Sequence, residues 1–334
     1  MGLAAGAFSQ TYVQIIGTIP QLSEAKYPQS INNAGVITGS SWDTGVGPQH
    51  GFVRAAESGT ITLFDAPGSM STLPYSINEA GAITGWYLLG LDRHGFLRSP
   101  EGNLITFDPL GSIQTMAQSI NEGGAITGYY NESNMVNHGF VREPNGTILS
   151  FDPPGSISTQ AVRINAVGII TGFYGDANNR THGFLRWPGG AIESFDPPES
   201  TATMPTGINI AGAITGSYTL ANGRILGFVR RPDGKIVSFD VPGSLVTFGF
   251  LTPGLSINDE GAITGGYSDN AGTHGFVRSP EGMITSFAPS SKSTACPPFP
   301  KIPPSPPLPS PRASTTTESL QVGASPGAPR PLMS

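Results

Sequence analysis

The chain has 334 residues, a net charge of −6 and only 12 % charged side chains. It carries no Lys/Arg stripe able to neutralise phosphates, which disfavours nucleic-acid binding, and no apolar run reaches the roughly 18 residues of a membrane helix. Gly, Ser, Thr and Asn are abundant, as in β-rich proteins with many turns, and the single cysteine, Cys296, allows no intramolecular disulfide.

In chain order, residues 1–7 end in Ala5-Gly6-Ala7, which resembles the small-residue end of a secretory signal without its basic and apolar parts. The expectation is a signal remnant. Tyr12-Val13-Gln14-Ile15-Ile16 reads as one additional strand, surplus to the repeats that follow and without an assigned place. Residues 8–289 read as one domain, a six-bladed propeller, in which residues 25–289 repeat one pattern six times: Ser-Ile-Asn, a Gly, Ile-Thr-Gly with an aromatic, His-Gly-Phe-(Val/Leu)-Arg, a Gly, and Phe-Asp-x-Pro-Gly-Ser. The units fall near residues 25–69, 70–112, 113–156, 157–200, 201–244 and 245–289. A period of about 44 residues is that of solenoids or propeller blades. Residues 290–334 are rich in Pro and Ser, lack the apolar content of a core and read as a disordered tail.

Each unit predicts four short strands and no helix. In the third, strand a ends at Asn121, strand b covers residues 125–130, strand c 138–142 and strand d 147–152. Between c and d, Pro144-Asn145-Gly146 suits a type I turn followed by a Gly in the left-handed region. That turn fixes the register: Phe140 faces Ser150 and His138 faces Asp152. The same arithmetic pairs His94 with Asp108 and His182 with Asp196. Two units break the pattern, with Leu226 opposite Asp240 and His274 opposite Ala288.

The His-Gly-Phe core, with Ile-Asn-x-x-Gly-x-Ile-Thr-Gly before it, resembles the HAF repeat, a family named for His-Ala-Phe and described as extracellular. Here Gly stands in place of the Ala, and Phe-Asp-x-Pro-Gly-Ser stands where a Leu-Gly-rich segment is expected. The resemblance covers roughly residues 25–289. It implies secretion or surface display and a propeller-like fold, and brings no catalytic residues. Independently, four antiparallel strands per unit of this length is the blade pattern of a propeller. The expected fold is all-β: six four-stranded blades, with a β-solenoid as the alternative.

The residues invite functional readings of different sharpness. The five histidines share one repeat position, and a His–Asp pair fixing strand register is favoured over a metal ring. The arginines Arg54, Arg98, Arg142, Arg186, Arg230 and Arg278 read as solvated or stem-packed edge residues. The asparagines from Asn32 to Asn258 read as turn caps. Trp42, Tyr87, Tyr130, Tyr174, Tyr218 and Tyr267 close strand b; they suit inter-blade packing or, functionally, a stacking platform for sugar rings. The copies differ most in the b–c loops and the d–a segments, which share one rim, so that rim is the expected binding face. No cofactor or metal is expected; the oxygen ligands of Asp176 with Asn178, or Asp269 with Asn270, leave Ca²⁺ as the alternative, at a spacing common by chance. The leading expectation is a monomeric, non-catalytic binding scaffold outside the cell, for an unidentified protein or carbohydrate partner. The alternatives are a glycan-binding lectin and a hydrolase, although no catalytic motif is present.

Overall fold

The computed structural model describes residues 26–42, 47–244, 246–247 and 255–287. The expected signal remnant at 1–7, the additional strand at 12–16 and the tail at 290–334 lie outside them. The described residues form strands and no helix.

Each repeat is an antiparallel run of strands a, b, c and d. In the first these are Lys26–Ile31, Ile37–Trp42, Gln49–Arg54 and Ile61–Phe64; in the second, Ser71–Ile77, Ile83–Leu89, Asp92–Arg98 and Leu104–Phe107. The third comprises Gln114–Ile120, Ile126–Asn131, Asn137–Arg142 and Ile148–Phe151, and the fourth Ser156–Ile164, Ile170–Asp176, Thr181–Arg186 and Ile192–Phe195. The fifth has Ser200–Ile208, Ile214–Leu220, Ile225–Arg230 and Ile236–Phe239. In the sixth, strand a is split into Val246–Thr247 and Ser256–Ile257, followed by Ile263–Asp269, Gly272–Arg278 and Ile284–Phe287. Both halves pair with the same strand b. Val246 and Thr247 pair with Ser268 and Tyr267, and Ser256 and Ile257 pair with Thr264 and Ile263.

The turns do the work their sequences suggest. Gly146 has φ 94° and donates to the Glu143 carbonyl, while Glu143 N–H bonds Thr147. This sets Phe140 against Ser150 and Arg142 against Ile148. In each of the first five repeats strand a carries a bulge opposite strand b, in the third between Ala117 and Ser119. The bulge brings the Met116 carbonyl so close to Gly128 that a Cβ there would stand 2.0 Å from the oxygen. The Gly of Ile-Thr-Gly is thus demanded by the neighbouring backbone. Beside it, Thr127 donates to the Phe140 carbonyl at 2.8 Å across the strand pair.

Both faces of a repeat are buried, which explains apolar residues of both parities. Five apolar clusters form, one between each pair of successive repeats. Between the second and third, Phe107, Leu97 and Ala82 meet Ala117, Ile126, Tyr130 and Phe140. Full burial of a ring such as Phe140 contributes about 1.5–3 kcal/mol. Phe107 and Phe140 pack edge to face at 6.1 Å, and the Arg142 guanidinium stacks over Phe107 at 5.1 Å. The same arginine–phenylalanine stack joins every successive pair of repeats. Arg142, Arg186 and Arg230 are buried, so these arginines are inter-repeat clamps rather than solvated edge residues.

An asparagine ladder runs through the a–b turns. Asn121 Oδ1 caps Ala125 N–H within its own turn, and its Nδ2 donates to the Asn165 carbonyl of the next repeat at 3.2 Å. Equivalent links join Asn32 to Asn78, Asn78 to Asn121, Asn165 to Asn209 and Asn209 to Asn258. They gather the a–b turns of all six repeats, leaving each strand d on the far edge of its repeat. Among the described residues no sheet closes on itself.

Candidate functional site

Two groups of side chains stand out. The first recurs at the start of strand c. His138 Nδ1 lies 2.7 Å from Asp152 Oδ2, His94 Nδ1 2.7 Å from Asp108, and His182 Nδ1 2.6 Å from Asp196. The first repeat, whose c–d turn is one residue longer, still brings His50 to Asp65 at 2.8 Å. The second carboxylate oxygen reaches into the following repeat: Thr115 donates to Asp108 Oδ1 at 2.6 Å, and Thr203 to Asp196 Oδ1 at 2.5 Å. The aspartate therefore ties its own histidine to the neighbouring strand a. The two irregular repeats find substitutes. Arg224 pairs with Asp240 in the fifth, and His274 Nε2 turns to Asp269 at 2.9 Å in the sixth.

The strand-b tyrosines complete this group. Tyr87, Tyr130, Tyr174, Tyr218 and Tyr267 are only 5–8 % exposed. Tyr130 packs on His138 with ring centroids 5.5 Å apart, and its hydroxyl bonds Ser150 at 3.0 Å. Tyr174 and Tyr218 reach Ser194 and Ser238 in the same way. Their rings are inter-repeat packing with a satisfied polar tip, and sugar stacking on them would require the repeats to separate. Trp42 belongs to another row. Ser41 faces His50, and Trp42 faces Gln49, so alternation turns the indole to the opposite face, where it meets Tyr27 edge to face at 5.2 Å. The carboxylates offered to Ca²⁺ are held by turn N–H groups. Asp176 Oδ1 accepts from Asn178 and Arg180, and Asp269 Oδ1 from Ala271 and Gly272. The Arg180 N–H is the main reason the Asp176 carboxyl is lowered to about 2. Among the described residues no three His, Cys, Asp or Glu side chains are gathered for a metal.

The second group breaks the repeat. Strand-b positions that hold Ser40, Ser217 and Gly266 in other repeats hold Trp86, Tyr129 and Phe173 in the second, third and fourth. The Ser that precedes Ile-Asn accepts the N–H of an isoleucine in the next repeat, as Ser76 does from Ile120 at 3.3 Å; in the fourth repeat that place is taken by Arg163. Arg93 lies over Trp86 at 5.0 Å and donates to Gln114 at 2.5 Å. Tyr75, at the bulge of its strand, meets Trp86 at 6.4 Å. The repeat pattern gave these residues no signal; comparing the repeats position by position does.

The variable rim is also defined. Met70 N–H bonds Leu88, and Ile113 N–H bonds Asn131, so these two d–a segments lie against the end of strand b, where the b–c loop begins. Large apolar side chains stand out of it: Leu110 is 99 % exposed and Leu91 89 %, with Met70, Met135 and Ile157 more than half exposed.

No protein-family model matches the chain, and no curated protein is significantly similar to it in sequence. Solved structures are similar in fold. A streptogramin B lyase shares 15 % identity at TM-score 0.51, over 80 % of this chain and 84 % of that one. A catalytically inactive virginiamycin B lyase from Staphylococcus aureus with quinupristin shares 13 % at TM-score 0.53, over 83 % and 88 %. A puromycin hydrolase shares 11 % at TM-score 0.56, over 78 % of this chain and 44 % of that one. These likenesses establish a β-propeller-type repeat fold.

Proposed function

We propose that the chain is a six-bladed β-propeller, secreted or displayed at the cell surface, that binds a protein partner through its b–c/d–a rim and is not an enzyme. The HAF-repeat resemblance supports the location. The observation that carries the reading is the set of exposed apolar side chains on the rim, Leu91, Leu110 and Met135 on the loops where the repeats differ most and Ile157 at the start of a strand a. Exposed apolar surface of this kind marks interaction sites. The repeated histidines, aspartates and tyrosines are engaged in holding repeats together, which leaves the rim rather than the repeated motif to carry recognition. A protein partner is favoured over a glycan because the strand-b tyrosines are buried while the large apolar side chains exposed on the rim are aliphatic.

The test is capture from the native cell envelope by the full chain and by its Leu91→Ser/Leu110→Ser variant, alongside a glycan array. The reading expects a protein retained by the parent, released by the variant, and a blank array. Selective glycan binding, or capture that ignores both leucines, would reject it.

A further inference from the structure

The cleft between the fifth and sixth repeats departs from the interfaces before it. It lies at the end of the repeats where a–b and c–d turns meet, as Gly261 and Pro280 do, and not at the variable rim. Its volume is about 170 Å³. Val229, Val237, Ile257 and Pro280 form apolar walls, and Arg231 and Arg278 line the same cleft. Arg278 is the clamp of the sixth repeat, stacked over Phe239 at 5.1 Å. Arg231 directly follows Arg230, the clamp of the fifth.

In the two preceding interfaces an acid of the earlier repeat answers the clamp arginine. Arg230 Nη2 lies 2.5 Å from Glu193 Oε1, and the charge of Glu143 favours the Arg186 guanidinium. In the fifth repeat the same two places hold Val237 for Glu193 and Arg231 for Glu143. One acid is replaced by a wall of the cleft and the other by a second cation. Burial lowers the Arg278 guanidinium, and nearby Arg231 adds to the fall. Among the described residues no carboxylate forms an ion pair with either arginine. Acids of the surrounding turns serve their own backbone: Asp233 Oδ1 accepts from Lys235 N–H, and Asp259 Oδ1 from Ile210 N–H. Two guanidiniums against apolar walls repel each other and are costly without an anion between them. The fold does not demand the second one, since other repeats carry Ala55, Ser99 and Ser279 at the Arg231 position. Residues that break a local rule without helping the fold mark function.

We infer that Arg231 and Arg278 form a receptor for the carboxylate of a small aliphatic acid, with the guanidiniums on the anion and the hydrocarbon against Val229, Val237 and Ile257. Charge-assisted bonds from arginine to carboxylate are the strong ones, and the apolar walls raise their worth. An inorganic anion would use the arginines and leave the walls uncovered, and a neutral alcohol would do the reverse. This site goes beyond the rim-binding reading and does not depend on it.

The sister repeats supply variants compatible with the fold. Arg231→Ser introduces the residue at Ser99 and Ser279, and Val237→Glu introduces the residue at Glu193. Calorimetric titration of the full chain with hexanoate, hexanol and sulfate reads the site. Hexanoate binds more tightly than either of the others. Arg231→Ser weakens it about tenfold or more, consistent with losing a hydrogen bond to a charged group. Val237→Glu abolishes it by giving Arg278 the carboxylate that Glu193 gives Arg230. Both variants melt at or above the temperature of the parent, since each relieves the facing positive charges. No binding of hexanoate, sulfate or hexanol matching it, affinity unchanged in either variant, or a lower melting temperature in both would overturn the site. The rim reading would stand untouched by those results, since its leucines are not involved.

Discussion

The Phe151 ring occupies the space where a side chain on Gly139 would stand: a Cβ there would come within 2.8 Å of Cε2 and 2.9 Å of Cζ. Gly95 beneath Phe107 and Gly183 beneath Phe195 repeat the relationship. The seat matters because that phenylalanine faces the next repeat, where Arg186 stacks over Phe151 at 4.9 Å. Gly139→Ala should therefore displace the ring and cost about 1–3 kcal/mol through overpacking. A urea midpoint equal to that of the parent would show that the ring is not seated as described. The double variant Gly139→Ala/Phe151→Leu should recover part of the loss.

The histidine network predicts a loss of stability without a loss of binding. His138→Ala removes the bond to Asp152 and the ring beneath Tyr130. The expected cost is about 0.5–1.5 kcal/mol from the lost hydrogen bond, since the exposed Asp152 carboxylate is left to water. Thermal unfolding measures it, and partner capture at the rim should be unchanged in the folded variant. A lost ligand with intact stability would assign the histidine to binding instead.

His182 gives a dependence on pH. Burial works against its charge, but Asp196 and then Asp176 outweigh that and raise its pKa from 6.5. A raised folded value means the imidazolium favours the folded state. Its contribution is complete below about 6.5 and is lost as the pH rises through the folded value. Asp176 acts in the opposite sense: its carboxyl, lowered from 3.8 to about 2, contributes above 3.8 and loses that contribution as the pH falls toward 2. The difference in melting temperature between the parent and His182→Ala should be larger at about pH 5.5 than at about pH 8.5. Equal differences at both would remove the ion pairs from the account.

Asn121 joins two roles, capping Ala125 N–H and bonding the Asn165 carbonyl. Asn121→Ala leaves the Ala125 N–H buried without its partner, while the Asn165 carbonyl keeps the Gly168 N–H, and should cost about 1–3 kcal/mol. Asn121→Asp retains the cap but sets a carboxylate oxygen against a carbonyl, so it too should destabilise. An Asp variant as stable as the parent in guanidinium would confine the residue to its own turn.

In the fifth repeat, Arg224 answers Asp240 from an exposed position. Arg224→Ala should cost less than about 1 kcal/mol, as exposed ion pairs do. Adding Leu226→His should place the usual imidazole opposite Asp240 and recover stability. A double variant weaker than Arg224→Ala alone would mean that the fifth repeat has lost the geometry of the others.

Much of each repeat was legible because it is local. The Pro-x-Gly turn with its left-handed Gly146 fixes the c–d register, and counting outward from it sets His138 against Asp152 without knowledge of anything else. Even there, a one-residue offset misleads. Ile37-Thr38-Gly39-Ser40-Ser41-Trp42 places its aromatic one position later than Ile83-Thr84-Gly85-Trp86-Tyr87 does, and the two-residue period of a strand sends Trp42 to the other face.

The sequence by itself determined the repeat, its four strands, its turns and the within-repeat histidine–aspartate register, since backbone sterics and turn geometry act over a few residues. Only the tertiary structure decided that the tyrosines are buried, that Arg98 and its counterparts in the later repeats clamp the phenylalanine of the preceding repeat, and that the asparagines form a ladder. Those relationships join residues a whole repeat or more apart in the chain, and they exist only because stacking each repeat on the next is what buries both of its faces.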